Sequence, residues 1–289
     1  MAGDEASGVI ERLEGKAARI ETRCGPSANM VWRRWGEGRP VVLLHGGAGS
    51  WMHWIRNIEA LATTRAVWAP DIPGFGESDL PAGPLDADTL APYVLKGAME
   101  VLRGEGFDLV GFSFGGLVAA HIAAEAPATL GRLVLVSTAG MGLDLGRPVF
   151  KSLRGVSDPG ARAEVLRFNL SALMLHHPAS IDALAVAVQE ASAPRDRVKN
   201  RKLIFTDILL RLAPQWRCTA YGIWGMQDAI YRNQFGMLSD RVNMLNLRER
   251  VFLDAAGHWL QYERFEEFNR LLTGFLDAPA STYRRGQQG

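Results

Sequence analysis

Between Pro40 and Gly257, short apolar β-type runs alternate with longer helix-like segments, and this alternation most limits what the chain can fold into. "PVVLLHG" (40–46) is apolar, β-branched and closed by glycine, as expected of a strand buried on both faces. Further strands are expected at "RAVWAP" (65–70), "FDLVGFS" (107–113), "LGRLVLVSTAG" (130–140), "TAYGIWG" (219–225) and "RERVFLDAAG" (248–257). Helices are expected at 53–62, at 90–102, from about Gly115 and at 264–277. The last carries Phe265, Phe268, Leu271, Leu272 and Phe275 along one stripe. "KAARIETRC" and "NMVWRRWG" precede these elements as a two-strand antiparallel lead-in. Strand–helix alternation implies an α/β fold: a mostly parallel central sheet with helices on both faces. Its ligands belong at the carboxyl ends of the strands.

One stretch breaks the rhythm. From Met141 to Pro214 the sequence is helical and holds no convincing strand, with "ARAEVLRFNLSALML", "SIDALAVAVQEA" and "RKLIFTDILLRLA" as its helices. The division expected is therefore a core of 8–140 plus 215–277, a helical lid at 141–214, and flexible ends at 1–7 and 278–289. A chain of 289 residues suits one such domain with an insertion.

The strand at 107–113 runs into G-x-S-x-G: Gly111, Phe112, Ser113, Phe114, Gly115. A helix follows, which is the context of a nucleophile elbow. A serine hydroxyl is a weak nucleophile and needs a base. Of the six histidines, His258 alone follows the last strand, in "LDAAGHWLQYE". His121 falls within the helix behind Ser113. His176 and His177 lie in the lid, solvated or lining a pocket. In the order Ser…Asp/Glu…His the acid is Asp228, just past a strand end in "GIWGMQDAIYR", with Asp144 as its competitor. Asp71 precedes the serine and is expected to order its own turn. A tetrahedral intermediate needs oxyanion donors. The glycine-rich "HGGAGSW" (45–51) offers the amides of Gly47 and its neighbour Gly46, and the second donor is the amide of Phe114. The chain lacks G-x-G-x-x-G at a strand–helix junction and G-x-x-x-x-G-K-[ST], so neither dinucleotide nor P-loop chemistry is indicated.

A net charge of +1 argues against nucleic acid or an anionic membrane as partner. The basic run Arg195, Arg197, Lys199, Arg201, Lys202 reads as a solvated face. Two cysteines with neither disulfide nor metal spacing, and a first segment without an apolar signal core, point to a cytoplasmic location. No cofactor or metal is expected, and the partner is a small molecule, with homo-oligomers left open.

"VVLLHGGAGSW", "APDIPGFGESD", "GFSFGG", "WGMQD" and "GHWLQYERFEEFNRLLTGFL" occur in this order with suitable spacing. In this the chain resembles the α/β-hydrolase superfamily over about residues 30–276. The resemblance implies a Ser113–His258–Asp228 triad and a lid inserted after the sixth strand. Haloalkane dehalogenases and epoxide hydrolases of this fold carry aspartate at the elbow; serine there implies acyl-transfer hydrolysis. The last motif is most similar to the meta-cleavage-product hydrolases, which break C–C bonds in vinylogous 1,5-diketones. That likeness implies Trp259 in the substrate pocket and a lid arginine on the substrate carboxylate, for which Arg197 and Arg201 both stand in the region. The chain departs from that group at Phe112, commonly asparagine, at His53, which replaces another asparagine, and in a shorter oxyanion loop without proline. Phe112, Phe114, Trp51, Trp54 and Trp259 suggest an apolar, aromatic pocket. The expected activity is serine hydrolysis of a carbonyl substrate, either a 2-hydroxy-6-oxo-dienoate or a small apolar ester or lactone. The alternative of another class is a ligand-binding member of the fold that does not catalyse.

Overall fold

In the computed structural model, which describes residues 2–279 apart from Ala126 and Arg147, with side chains from Glu5 onward, eight strands form one sheet. The strands are β1 (Ala18–Arg23), β2 (Asn29–Trp35), β3 (Arg39–Leu44), β4 (Arg65–Pro70), β5 (Phe107–Phe112), β6 (Leu130–Val136), β7 (Thr219–Gly225) and β8 (Glu249–Leu253). Their spatial order is β1-β2-β4-β3-β5-β6-β7-β8. β1 and β2 form the antiparallel lead-in, β2 joins β4 antiparallel, and every later pairing is parallel.

Alternate side chains of the strands feed two separate cores. Val42 and Leu44 of β3 and Leu109 of β5 point to one face, Val41, Leu43, Val110 and Phe112 to the other. That division follows from the period of two along a strand. The first face is covered by α3 (Ala87–Val101) and α4 (Phe114–Ala124) and by α8 (Phe235–Asn243). The second is covered by α2 (Ile58–Ala62), the short α9 (Leu260–Glu263) and α10 (Phe265–Asp277), the last burying Phe268, Leu272 and Phe275. The helix expected at 53–62 is split: a 3-10 turn occupies Trp51–Trp54, and α2 begins only at Ile58.

The N-terminal segment, expected to fray, instead forms α1 (Ala2–Lys16). Ala6 and Leu13 are buried, and the Trp35 indole donates to the Leu13 carbonyl at 2.8 Å. Arg33, 1% exposed, meets Glu14 at 2.7 Å, Glu77 at 3.0 Å and Asp71 at 3.3 Å, which fixes α1 to the sheet. Of the tail expected to be flexible, residues from Ala280 on lie outside the described residues.

Between β6 and β7 the described residues hold no strand. The segment carries α5 (Pro159–Asn169), a π-helical turn at Leu170–Met174, α6 (Ala183–Ser192) and α7 (Ile208–Leu212). It reaches the loops after four strands: Ser192 Oγ to Ser50 Oγ at 3.0 Å, Arg197 N–H to the Gly74 carbonyl at 3.0 Å, Gly140 N–H to the Ile204 carbonyl at 3.2 Å, and Trp259 N–H to the Met174 carbonyl at 2.7 Å. The insertion therefore sits over the carboxyl ends of the strands.

At the opposite end of the sheet, Asp108 is fully buried among Arg39, Arg65 and Arg132, each within 3.1–3.2 Å. Arg65 also donates to the Leu276 carbonyl at 2.7 Å, tying down the end of α10.

Candidate active site

The chain runs from β3 to β4 on one side and then to β5 on the other, so the strand order reverses beside β3. The carboxyl ends of β3 and β5 flank a crevice at this switch point, where an open α/β sheet binds its ligand. The loop after β3 holds "HGGAGSW", and the turn after β5 holds Ser113.

Ser113 sits at φ 52°, ψ −116° between the last residue of β5 and the first of α4. A non-glycine residue there stores roughly 1–3 kcal/mol of backbone strain. The neighbours make the turn possible. A methyl group on Gly115 would collide with the carbonyls of His45 and Leu44, and one on Gly111 would lie 2.6 Å from Cα of Gly116. The Ser113 amide donates to the Val136 carbonyl at 2.8 Å, which anchors the turn to β6.

Three distant segments meet at this serine. His258 Nε2 lies 2.9 Å from Ser113 Oγ, and His258 Nδ1 lies 2.7 Å from Asp228 Oδ2. Asp228 and His258 are buried, at 2% and 4% exposure. Asp228 Oδ1 accepts the Ile230 amide at 3.0 Å, so both carboxylate oxygens are held. Asp144, the competing acid, is solvent-exposed beside Gln234, which donates to its backbone carbonyl. His121 lies in α4, as expected, and His176 and His177 stack edge-on at 4.8 Å on the exposed side of the insertion.

Among the described residues, the amides of Gly47 and Phe114 have no hydrogen-bond acceptor; Phe114 directly follows Ser113, and Gly47 follows Gly46, on which a methyl group would lie 3.1 Å from Ser113 Cβ. The expectation for Gly46 is corrected. Its amide donates to His53 Nδ1 at 3.2 Å and is not free for an oxyanion. This bond makes Nδ1 an acceptor, so His53 carries its proton on Nε2. Burial, followed by the nearby His45 and His258, holds the His53 pKa well below its ordinary value, and the ring is neutral. His45 is also buried and neutral. Its Nδ1 meets the Gly46 carbonyl at 2.8 Å and its Nε2 accepts the Ile72 amide at 2.9 Å.

Phe112 and Trp259 line the wall behind the histidine. The Phe112 ring lies 5.1 Å from His258 and 5.3 Å from His53. Trp259 is fully buried, stacks on Tyr262 at 4.2 Å and donates its indole N–H to the His53 carbonyl at 2.8 Å. Trp51 is a second correction: its ring packs on Trp35 at 5.3 Å and under Arg33, on the side facing α1. Asp71 does order its turn, accepting from the amides of Trp51 and Glu77 at 2.9 and 3.0 Å.

The basic run divides. Arg197 donates to the carbonyls of Gly76 and Ser78, away from Ser113. Arg201 turns inward, beside Gly47 and within 5.7 Å of the rings of Phe75 and Phe114. Asp196 holds it at 2.8 Å and accepts the Ala48 amide with the same oxygen at 3.1 Å. Asp196 and Glu263 were not foreseen, because their partners are 148 and 86 residues away.

Among curated proteins, the chain is 32% identical over 260 residues to the 2-hydroxymuconate semialdehyde hydrolase of Pseudomonas sp. (strain CF600), covering 83% of this chain and 88% of that one. It is 29% identical over 261 residues to the 2-hydroxy-6-oxo-6-phenylhexa-2,4-dienoate hydrolase of Burkholderia cepacia, with the same coverage. Among solved structures it is similar to a variant of CumD, a meta-cleavage product hydrolase from Pseudomonas fluorescens IP01, with a TM-score of 0.68, 24% identity and coverage of 86% and 94%. An esterase from Rhodococcus sp. ECU1013 matches with a TM-score of 0.72, 22% identity and coverage of 91% and 99%. The family model described as "Alpha/beta hydrolase family" matches residues 41–271, and with the sheet order and the elbow already in view, the chain belongs to that family.

Proposed function

We propose that this hydrolase works through an acyl-enzyme on Ser113, with His258 as general base and acid and Asp228 as its orienting partner. The observation that carries the reading is the unbroken chain of hydrogen bonds from Asp228 through His258 to Ser113, at 2.7 and 2.9 Å, ending on a strained elbow. His258 Nε2 takes the hydroxyl proton as Ser113 Oγ attacks a carbonyl carbon. The amides of Gly47 and Phe114 receive the charge that develops on the carbonyl oxygen. Asp228 holds the proton on Nδ1 and stabilises the imidazolium. The same proton then passes to the leaving group, and water, activated by His258, releases the acyl group.

The substrate class we propose is a 2-hydroxy-6-oxo-dienoate, with the leaving group expelled as carbon. In that reaction His258 first assists ketonisation of the dienol, which turns the departing carbon into a stabilised leaving group. The relatives named above and the cation of Arg201 beside Gly47 support this class. A second reading, hydrolysis of a small apolar ester or lactone, is favoured by Phe112. Its ring stands at 5.1 Å from His258, where the dienoate hydrolases commonly place an amide. The helical segment 141–214 acts as a lid in either reading. Two free cysteines are in keeping with a cytoplasmic location.

A side-by-side rate comparison of a short p-nitrophenyl ester with a 2-hydroxy-6-oxo-dienoate separates the two. A higher kcat/KM for the dienoate supports C–C cleavage, and a higher value for the ester refutes it. Failure of a fluorophosphonate to label Ser113 would remove the acyl-enzyme reading altogether.

A further inference from the structure

The loop that carries His258 is gripped on both sides by the insertion. On one side, the Trp259 amide donates to the Met174 carbonyl at 2.7 Å, at the end of the π-helical turn. On the other, the Gly257 amide donates to Glu263 Oε2 at 2.6 Å, while Glu263 Oε1 accepts the His177 amide at 2.6 Å. Glu263 is 9% exposed. Its carboxylate thus bridges the residue before the histidine and the turn of the insertion. The packing leaves no slack. A methyl group on Gly257 would lie 2.8 Å from the His176 amide nitrogen and 3.0 Å from the Met174 carbonyl oxygen.

A charged acceptor holding two backbone donors gives shorter and stronger bonds than a neutral one. A π-helical turn costs regular helical hydrogen bonding and is often retained at functional sites. Here it brings the Met174 carbonyl and the His177 amide to face the histidine loop. Nothing in this arrangement touches the reacting atoms. It acts through the backbone on either side of His258, whose Nε2 must stay within hydrogen-bond reach of Ser113.

We propose that Glu263 is a positioning residue that makes the insertion, through His177 and Met174, part of what holds His258 in register with Ser113. The proposal rests on His258 being the base. The insertion then does more than cover the substrate, since displacing it displaces the general base. In Glu263→Gln one acceptor oxygen becomes an NH2 facing a backbone N–H, so one of the two grips is lost while the volume is kept.

The test uses the full chain with a p-nitrophenyl ester. E263Q is expected to lower kcat by about 10- to 100-fold, the scale of an ångström-level misplacement. KM should change by less than about twofold, because the substrate contacts remain. Fluorophosphonate labelling of Ser113 should slow by the same factor as kcat. In a His258→Ala background, E263Q should leave the residual rate unchanged. A second variant, His177→Pro, removes the insertion's donor and makes Glu263 Oε1 withdraw from the ring that replaces the N–H, and its φ of −86° lies near the range proline adopts. It should lower kcat in the same sense. The proposal is overturned if a folded E263Q or H177P keeps the wild-type kcat, or if E263Q slows the H258A protein by the same factor as the wild type. If E263Q does not fold, H177P alone decides. A wild-type rate in H258A would instead strike down the base assignment itself.

Discussion

Replacing Asp228 by asparagine changes one oxygen to an amide and nothing in size, yet it should disable the histidine. Asp228 Oδ1 accepts the Ile230 amide at 3.0 Å, and Oδ2 faces His258 Nδ1 at 2.7 Å. An asparagine keeps the Ile230 bond only by turning its carbonyl that way, which puts its NH2 against Nδ1. Two donors cannot face each other, so Nδ1 becomes the acceptor and the ring proton moves to Nε2. Nε2–H then points at Ser113 Oγ, 2.9 Å away, and can no longer take the hydroxyl proton. The same exchange in a serine protease costs roughly 10⁴-fold in kcat, or about 5.4 kcal/mol. A loss of that order is expected here, with KM little changed because Asp228 is buried behind the ring. Stopped assays on a p-nitrophenyl ester give kcat and KM, and the rate of fluorophosphonate labelling isolates the first proton transfer. A decrease of less than about tenfold in a folded protein would refute the reasoning. So would an Asp144→Asn variant that reproduces the effect from its exposed loop.

Ser113→Ala should remove turnover and relieve none of the packing around the elbow; thermal unfolding should stay cooperative, and retained activity would point to another nucleophile. Gly115→Ala should prevent folding or cost more than about 4 kcal/mol, because the methyl meets backbone carbonyls of β3 and the following residue rather than movable side chains; a soluble, stable G115A protein would show that the elbow can widen. His45 and His53 are held neutral in the folded chain by burial, with pKa values below the ordinary 6.5. The unfolded chain binds their protons first, so their contribution is fully present above that pH and is lost as pH falls from it towards the lower native values. The slope is up to about 1.4 kcal/mol per pH unit for each histidine. Urea unfolding at about pH 7 and about pH 5.5 checks this, and equal midpoints would contradict it.

The sheet was legible because buried parallel strands announce themselves as apolar β-branched runs, and the meeting of Ser113, Asp228 and His258 because each sits just past a strand end, where the parallel sheet brings such loops together. What stayed hidden has a physical reason. Among the side chains described in α1, only Ala6 and Leu13 are deeply buried, too narrow a stripe to stand out in a segment rich in Glu and Gly. Gly46 was misassigned because its partner, His53, is brought to it by a 3-10 turn where a continuous helix was expected. Trp51 heads that same turn and faces α1 rather than Ser113. Arg201 belonged to a basic run that reads as a solvated face and was, with Arg197, a candidate for a substrate carboxylate; Asp196 beside it, itself bound to the Ala48 amide, turns it inward. Contacts such as Glu263 to His177 depend on how the insertion folds back, and no local pattern encodes that.

The cluster around Asp108 separates the joint of the frame from the chemistry. One buried carboxylate gathers arginines from three strands, and one of those arginines seizes the far end of the closing helix. Removing that carboxylate strands the buried guanidiniums of Arg65 and Arg132, a loss of about 3–5 kcal/mol. Both parts of the core that the insertion separates are thus fastened at the base of the sheet, away from the chemistry. In this chain the insertion and the pocket walls therefore take no part in the joint that holds the frame together. Side chains at the carboxyl end of its sheet can be replaced without touching the contacts that close the other end.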